Sequence, residues 1–181
     1  MPDTRVTKAE LLDWAGELSQ QRCASLDDLR SGVVLLRTFL RVFPRLAERS
    51  LKCKMQPRWD WEIALNWDAV EQCCIALSLP ADMVDRPGLQ ACRFRAVYNL
   101  LVALYFMYHV ARDRDFAADF AHPIDGPVAH FLQSRGAIIA MTAGGAIVAD
   151  ELLPRPSPAT RATRSPESGG GYPGSGLDGD G

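Results

Sequence analysis

LQACRFRAVYNLLVALYFMYHVA, residues 89–111, decides the fold. Phe94, Val97, Tyr98, Leu100, Leu101, Val102, Leu104, Tyr105 and Phe106 put apolar side chains on nearly every face of a helix from about Leu89 to Ala111. A helix that is apolar all round is a core element around which others pack. The uninterrupted apolar run, Asn99 to Val110, is shorter than the roughly 20 residues that span a bilayer, so a buried helix is the reading. Pro87 and Gly88 form the loop that leads into it.

Outward from this segment the apolar spacing stays helical. Trp59, Ile63, Trp67, Val70, Cys74 and Leu77 recur at threes and fours, which predicts a helix over about 60–79 stopped by Pro80. Leu29, Val33, Leu36, Phe39, Leu40 and Phe43 trace a stripe that starts at a Ser25/Asp28 cap and stops at Pro44. Leu11, Trp14 and Leu18 mark a first helix behind a Thr7/Glu10 capping box. No alternating strand pattern occurs in this part. The fold class is all-α, a compact helical domain around one buried central helix.

The chain has 181 residues and a net charge of −2, with 48% hydrophobic and 23% charged residues. That composition fits a globular domain and excludes a uniformly basic nucleic-acid binder. Three zones are expected: a helical domain over 1–120, an apolar extension over 121–153, and a Pro/Ser/Gly-rich tail over 154–181. The tail has little to bury and should be disordered. It carries Arg155, Arg161 and Arg164, and two Ser-Pro pairs at Ser157 and Ser165 that could be phosphorylated. In the extension a short helix is expected over 127–134. The stretch 136–149 should then pack onto the domain, or present a strand or hairpin about Ala143-Gly144-Gly145 to a partner.

Nothing in the residues builds a catalytic centre. Three histidines, His109, His122 and His130, stand in no Ser-His-Asp, HExxH or GxSxG arrangement, and there is no phosphate-binding loop. The paired acids Asp27-Asp28 and Asp113/Asp115 read as helix caps. Five cysteines without a CxxC spacing read as reduced core thiols. The charged N-terminal residues leave no apolar signal core. The protein is therefore expected to be a non-enzyme, cytoplasmic, without cofactor or metal.

What departs from background is the placement of charge. Arg37, Arg41, Arg45, Arg49, Lys52, Lys54 and Arg58 face only Glu48, a net of +6 over 37–58. Residues 1–120 balance 16 bases against 16 acids, so the domain is polarised rather than neutral. Arg37 and Arg41 are expected to project together into solvent. Such a field suits an acidic polymer surface.

The residues carrying these features resemble a known family. LDDLRSGVVLLRTFLRVFP (Leu26 to Pro44) resembles the second-helix signature of calponin-homology domains, most closely the N-terminal domain of the end-binding microtubule proteins. LLDWAGEL (11–18) is similar to the family's opening helix. CKMQPR (53–58) resembles its apolar-Lys-Phe-x-Ala-Lys segment, and EIALNW (62–67) its Asn-aromatic pair. CRFRAVYNLLVALY (92–105) resembles its Gly-Lys-Phe opening of the last helix, with Cys92 in place of Gly. The match covers about residues 7–110. The LNW and VYNLL pieces also look like the calponin-homology domains of sperm-flagellar microtubule proteins.

The resemblance implies tubulin contact through Lys54, Arg58 and Arg93, with Arg41, Arg45, Arg49 and Lys52 as neighbouring charge. It implies a microtubule-binding cytoskeletal module at growing ends, on the lattice, or in a flagellar axoneme or basal body. Actin binding, or an adaptor role using the 136–149 stretch, is the alternative. Nothing after residue 111 resembles the family's dimerising coiled coil, so a monomer is expected, with neither nucleic acid nor membrane as partner.

Overall fold

The computed structural model describes residues 6–113 and 126–147. Among the described residues the fold is all-α, with seven α-helices, two short 3-10 turns and no strand. The tail at 154–181, with its arginines and Ser-Pro pairs, lies outside the described residues.

Helix α1 (Lys8–Ser19) starts as its capping box dictates. Thr7 Oγ1 accepts from the Glu10 N–H at 3.2 Å, and the Glu10 carboxylate accepts from the Thr7 N–H at 2.7 Å. Those contacts hold the Glu10 carboxyl below its ordinary range. Gln20 closes the helix in the left-handed conformation, φ 55°.

The second stripe is not one helix. Leu26–Leu29 is a 3-10 turn, Gly32 takes φ 76°, and only then does α2 run, Val33–Val42. Gly32 breaks the helix because its Cα sits against Asn66; an added Cβ there would lie 3.1 Å from the Asn66 Cβ. Pro44 opens a second 3-10 turn, Pro44–Glu48.

Helix α3 (Asp60–Ala76) ends three residues earlier than expected, because Ser78 adopts φ 55° and reverses the chain before Pro80. Its expected first apolar mark, Trp59, is instead 64% exposed. The central helix is also shorter at its start. Residues 86–90 form a separate turn of helix, α4 (Arg86–Gln90), Cys92 takes φ 51°, and α5 spans Phe94–Arg112. Phe94, expected in the core, is half exposed as a result.

At 19 residues α5 is long and apolar enough to cross a membrane by length and composition alone, unlike the shorter run 99–110. Its apolarity has a local cause in this fold: it touches α1, α2, α4 and the two helices of the extension. Leu100, Leu101, Val102, Ala103, Leu104 and Met107 are all buried. Trp14 of α1 meets Tyr105 and Tyr108 of α5 edge to face, with ring centroids 5.3 and 5.6 Å apart. Helix α3 packs on α2.

The described part of the extension is helical, α6 (Pro127–Gln133) and α7 (Arg135–Ala143), with no strand or hairpin at 143–145. Local hydrogen bonding explains this. Ser134 Oγ accepts from the Gly136 N–H at 3.1 Å and starts α7 at once. Val128, Phe131, Ala137, Ala140 and Met141 are buried, while Ile138 and Ile139 remain exposed. The seam closes at Gly144, whose carbonyl accepts from the Arg45 N–H at 3.0 Å.

All five cysteines are free thiols, and four are buried. Burial pushes Cys23 up to about 11 and Cys73 up to about 12, so both stay neutral near pH 7.

Gly144 has an ordinary φ of −80°, yet an added Cβ would lie 2.3 Å from Phe43 Cδ1 and 2.7 Å from its Cβ. Gly144→Ala should therefore overpack the seam and cost about 1–3 kcal/mol, read as a lower urea midpoint at unchanged slope.

Candidate functional site

Asn66 and Trp67 of α3 organise the basic surface. Asn66 is fully buried. Its Oδ1 accepts from the Lys54 N–H at 2.7 Å, and its Nδ2 donates to the Lys54 carbonyl and the Ser31 carbonyl, each at 2.9 Å. One amide thus pins the irregular 52–56 segment and the turn after the first 3-10 stretch to the same point of α3. Trp67 Nε1 donates to the Arg30 carbonyl at 3.0 Å, fixing the other side of that turn. Only a side chain with both donor and acceptor can hold a backbone N–H and C=O together.

The turn is held from its own side by Asp28. Its carboxylate accepts from the Ala24 N–H at 2.8 Å and the Ser25 N–H at 3.0 Å. Those bonds, the Ser25 one first, keep its carboxyl below the ordinary value of 3.8.

Residues 30–31 have Lys54 on one side and Cys92, the residue before Arg93, on the other. Lys54 is tied to Ser31 through Asn66. On the other side, burial pushes the Cys92 thiol up, and the Arg30 guanidinium beside it opposes that rise. Arg93 follows Cys92 and is the N-terminal flank of α5, its N–H donating to the Gly88 carbonyl at 2.8 Å. Arg58 lies just ahead of α3, eight residues before Asn66, with its N–H on the Glu62 carboxylate at 2.6 Å. All three side chains are exposed. Arg30 belongs with them, though the sequence reading passed over it. It lies outside the 37–58 charge run, and only the tertiary turn delivers it. Its ion pair to Asp27, 3.5 Å long and well exposed, contributes little.

The remaining candidates stand elsewhere. Arg49 and Lys52 line a groove of about 430 Å3 over α3, against Leu65, Asp68, Ala69 and Gln72. Arg41 lies at the last turn of α2, and Arg45 beside the end of α7, its stem over Gly145. Arg37 does not project with Arg41. It is half-buried, and its Nη1 donates to the Ser19 carbonyl at 3.1 Å, capping the end of α1. Among the described residues none of Arg41, Arg45, Arg49, Lys52, Lys54, Arg58 and Arg93 forms an ion pair. Two more side chains went unread as surface: Trp59 and Trp61, 64% and 59% exposed next to Arg58.

No group of three or more His, Cys, Asp or Glu side chains fit to hold a metal occurs among the described residues. Burial, and then the neighbouring Arg112, lower the His109 pKa, so its ring favours the neutral form. Comparison with protein-family models, with curated proteins and with solved structures finds no match to this chain.

Two outcomes follow for this frame. Asn66→Ala orphans three backbone groups and should cost about 2–4 kcal/mol, with faster hydrogen exchange at the Lys54 amide. Asp28 has a depressed folded pKa, so its contribution is full above its ordinary range and is lost as pH falls through the folded value. The acid limb of stability below about pH 4 should therefore be shallower in Asp28→Asn than in the parent, measured by denaturation across pH 2–6.

Proposed function

We propose that this chain is a non-enzymatic cytoskeletal binding module of the calponin-homology type. It binds microtubules through a basic surface centred on Lys54, Arg58 and Arg93. Its place is the cytoplasmic cytoskeleton, at microtubule ends or in a cilium or flagellum. The observation that carries the reading is the Asn66 clamp. It holds the Lys54 backbone, from the segment resembling the family's Lys-Phe motif, against the turn at residues 30–31, whose Arg30 lies beside Cys92, the residue before Arg93. Cys92 adds support, since it stands where the family pattern has Gly and adopts φ 51°, a conformation glycine favours. Arg30 enlarges the cluster to four bases.

The mechanism is electrostatic capture on a rigid frame. Lys54, Arg58 and Arg93, which form no ion pair among the described residues, meet an acidic lattice with no internal pair to break, and orientation follows from the fixed turn. Such contacts are screened over about 10 Å at 0.1 M salt, so binding should fall steeply as salt rises.

A second reading has one specific observation behind it. Ile138 and Ile139 on α7 are exposed, 41% and 54%, and would suit an adaptor or assembly subunit. Sedimentation with microtubules and, in parallel, with F-actin separates the readings. The Lys54→Glu/Arg58→Glu/Arg93→Glu triple variant should lose microtubule co-sedimentation by tenfold or more with unchanged helicity. Undiminished binding by that variant overturns the proposal. Loss of partner binding on Ile138→Lys/Ile139→Lys instead selects the adaptor, and retention on F-actin alone selects actin.

A further inference from the structure

We propose that the cavity between α3 and residues 79–89 is a docking pocket for one large apolar side chain carried on a basic peptide segment of a partner protein. This site shares no residue with the basic cluster of Lys54, Arg58 and Arg93 and is independent of the microtubule reading.

The cavity holds about 170 Å3 and is walled by Trp67, Val70, Cys74, Leu79, Val84 and Leu89. A dry cavity of about 150 Å3 takes a benzene ring, whereas cofactor and drug-sized sites start at about 300 Å3. The volume therefore selects a single side chain of phenylalanine or leucine size. Ile75, at the lip, is 64% exposed, an apolar surface that a bound segment would cover. Burial pushes the Cys74 thiol up to about 12, so it lines the wall as a neutral group and offers no thiolate.

Charge at the mouth specifies what flanks that side chain. Arg86 bridges the Asp68 and Glu71 carboxylates, which cancels its charge and leaves an acidic excess. Asp82 and Asp85, both exposed, belong to the same rim segment. Glu71 and Arg86 line the cavity itself, Asp68 pairs with Arg86, and Asp82 and Asp85 sit in the 79–89 segment that forms one wall, so these five residues carry a net of −3. That rim repels anionic lipid headgroups and acidic peptides and attracts Lys and Arg on either side of the anchor. The cavity is shaped by the fold rather than by the ligand. Ser78, at φ 55°, turns the chain back after α3, and the Asp85 side chain caps the Gly88 N–H at 3.0 Å, setting the opposite wall.

The test uses the full chain, labelled at Ile, Leu and Val methyls, titrated with the peptide acetyl-Arg-Lys-Phe-Lys-Arg-amide. Shift changes confined to Val70, Ile75, Leu79, Val84 and Leu89 are expected, weakening as salt is raised. Replacing Phe by Ala in the peptide should weaken binding about tenfold or more. An acetyl-Glu-Asp-Phe-Asp-Glu-amide peptide should bind at least tenfold more weakly still. Ala81→Phe, filling the mouth from an exposed position, should abolish the changes. Asp82→Lys, also exposed, should weaken binding severalfold without touching the cavity wall. Equal affinity for the Phe and Ala peptides, indifference to peptide charge, shifts spread over the basic cluster, or unaltered binding by both variants would each overturn the proposal.

Discussion

The amide of Asn66 is the contact on which the rest of the surface depends. Being buried, it must find partners for one acceptor and two donor hydrogens, and it finds them in the backbone of two segments far apart in sequence. A buried amide left unpaired is costly, so the two segments and α3 are stabilised or lost together. Gly32 completes the arrangement, since its φ of 76° is one that glycine favours and an added Cβ would crowd Asn66 at 3.1 Å. An irregular, highly charged stretch thereby acquires one conformation without a regular element of its own.

Beneath that contact the core is a matter of apolar area. Helix α5 is surrounded because its residues leave no polar face to expose, and α2 serves as a second hub between α1 and α3. The extension docks by the same logic. Phe131, Ala137, Ala140 and Met141 turn inward, and Gly144 lets the chain pass within contact of the Phe43 ring. Ile138 and Ile139 stay outside because on a helix they fall on the face opposite Ala137 and Ala140 plus Met141.

Charge is distributed by the fold more than by the chain. The seven bases of 37–58 look continuous in sequence, yet Arg37 turns inward to cap α1, Arg41 ends α2, Arg45 sits beside the end of α7, and Arg49 with Lys52 borders a groove. The Lys54 backbone instead meets the turn at residues 30–31 through Asn66, and Arg58 stands just ahead of α3. Acids collect instead around Arg86, which pairs with Asp68 and Glu71, and Glu71 and Arg86 line an apolar cavity. A near-neutral chain thus carries two surfaces of opposite character.

The sequence by itself determined the helical class, the capping boxes at Thr7/Glu10 and Ser25/Asp28, the stop at Pro44 and the buried run of α5. Those follow from local rules, since periodicity and side-chain-to-backbone bonds act over three or four residues. It misplaced the breaks at Gly32, Ser78 and Cys92, where a left-handed residue reverses or kinks the chain for the sake of packing. It also assigned Trp59 and Phe94 to the core, because helical spacing names a face without saying how far the covering helices extend. It named Lys54, Arg58 and Arg93 as candidates through resemblance, and did not name Arg30. Which charges stand together, and where an apolar cavity opens, depends on contacts 12 to 37 residues apart in the chain. Only the tertiary structure decides those, because no local rule reaches that distance.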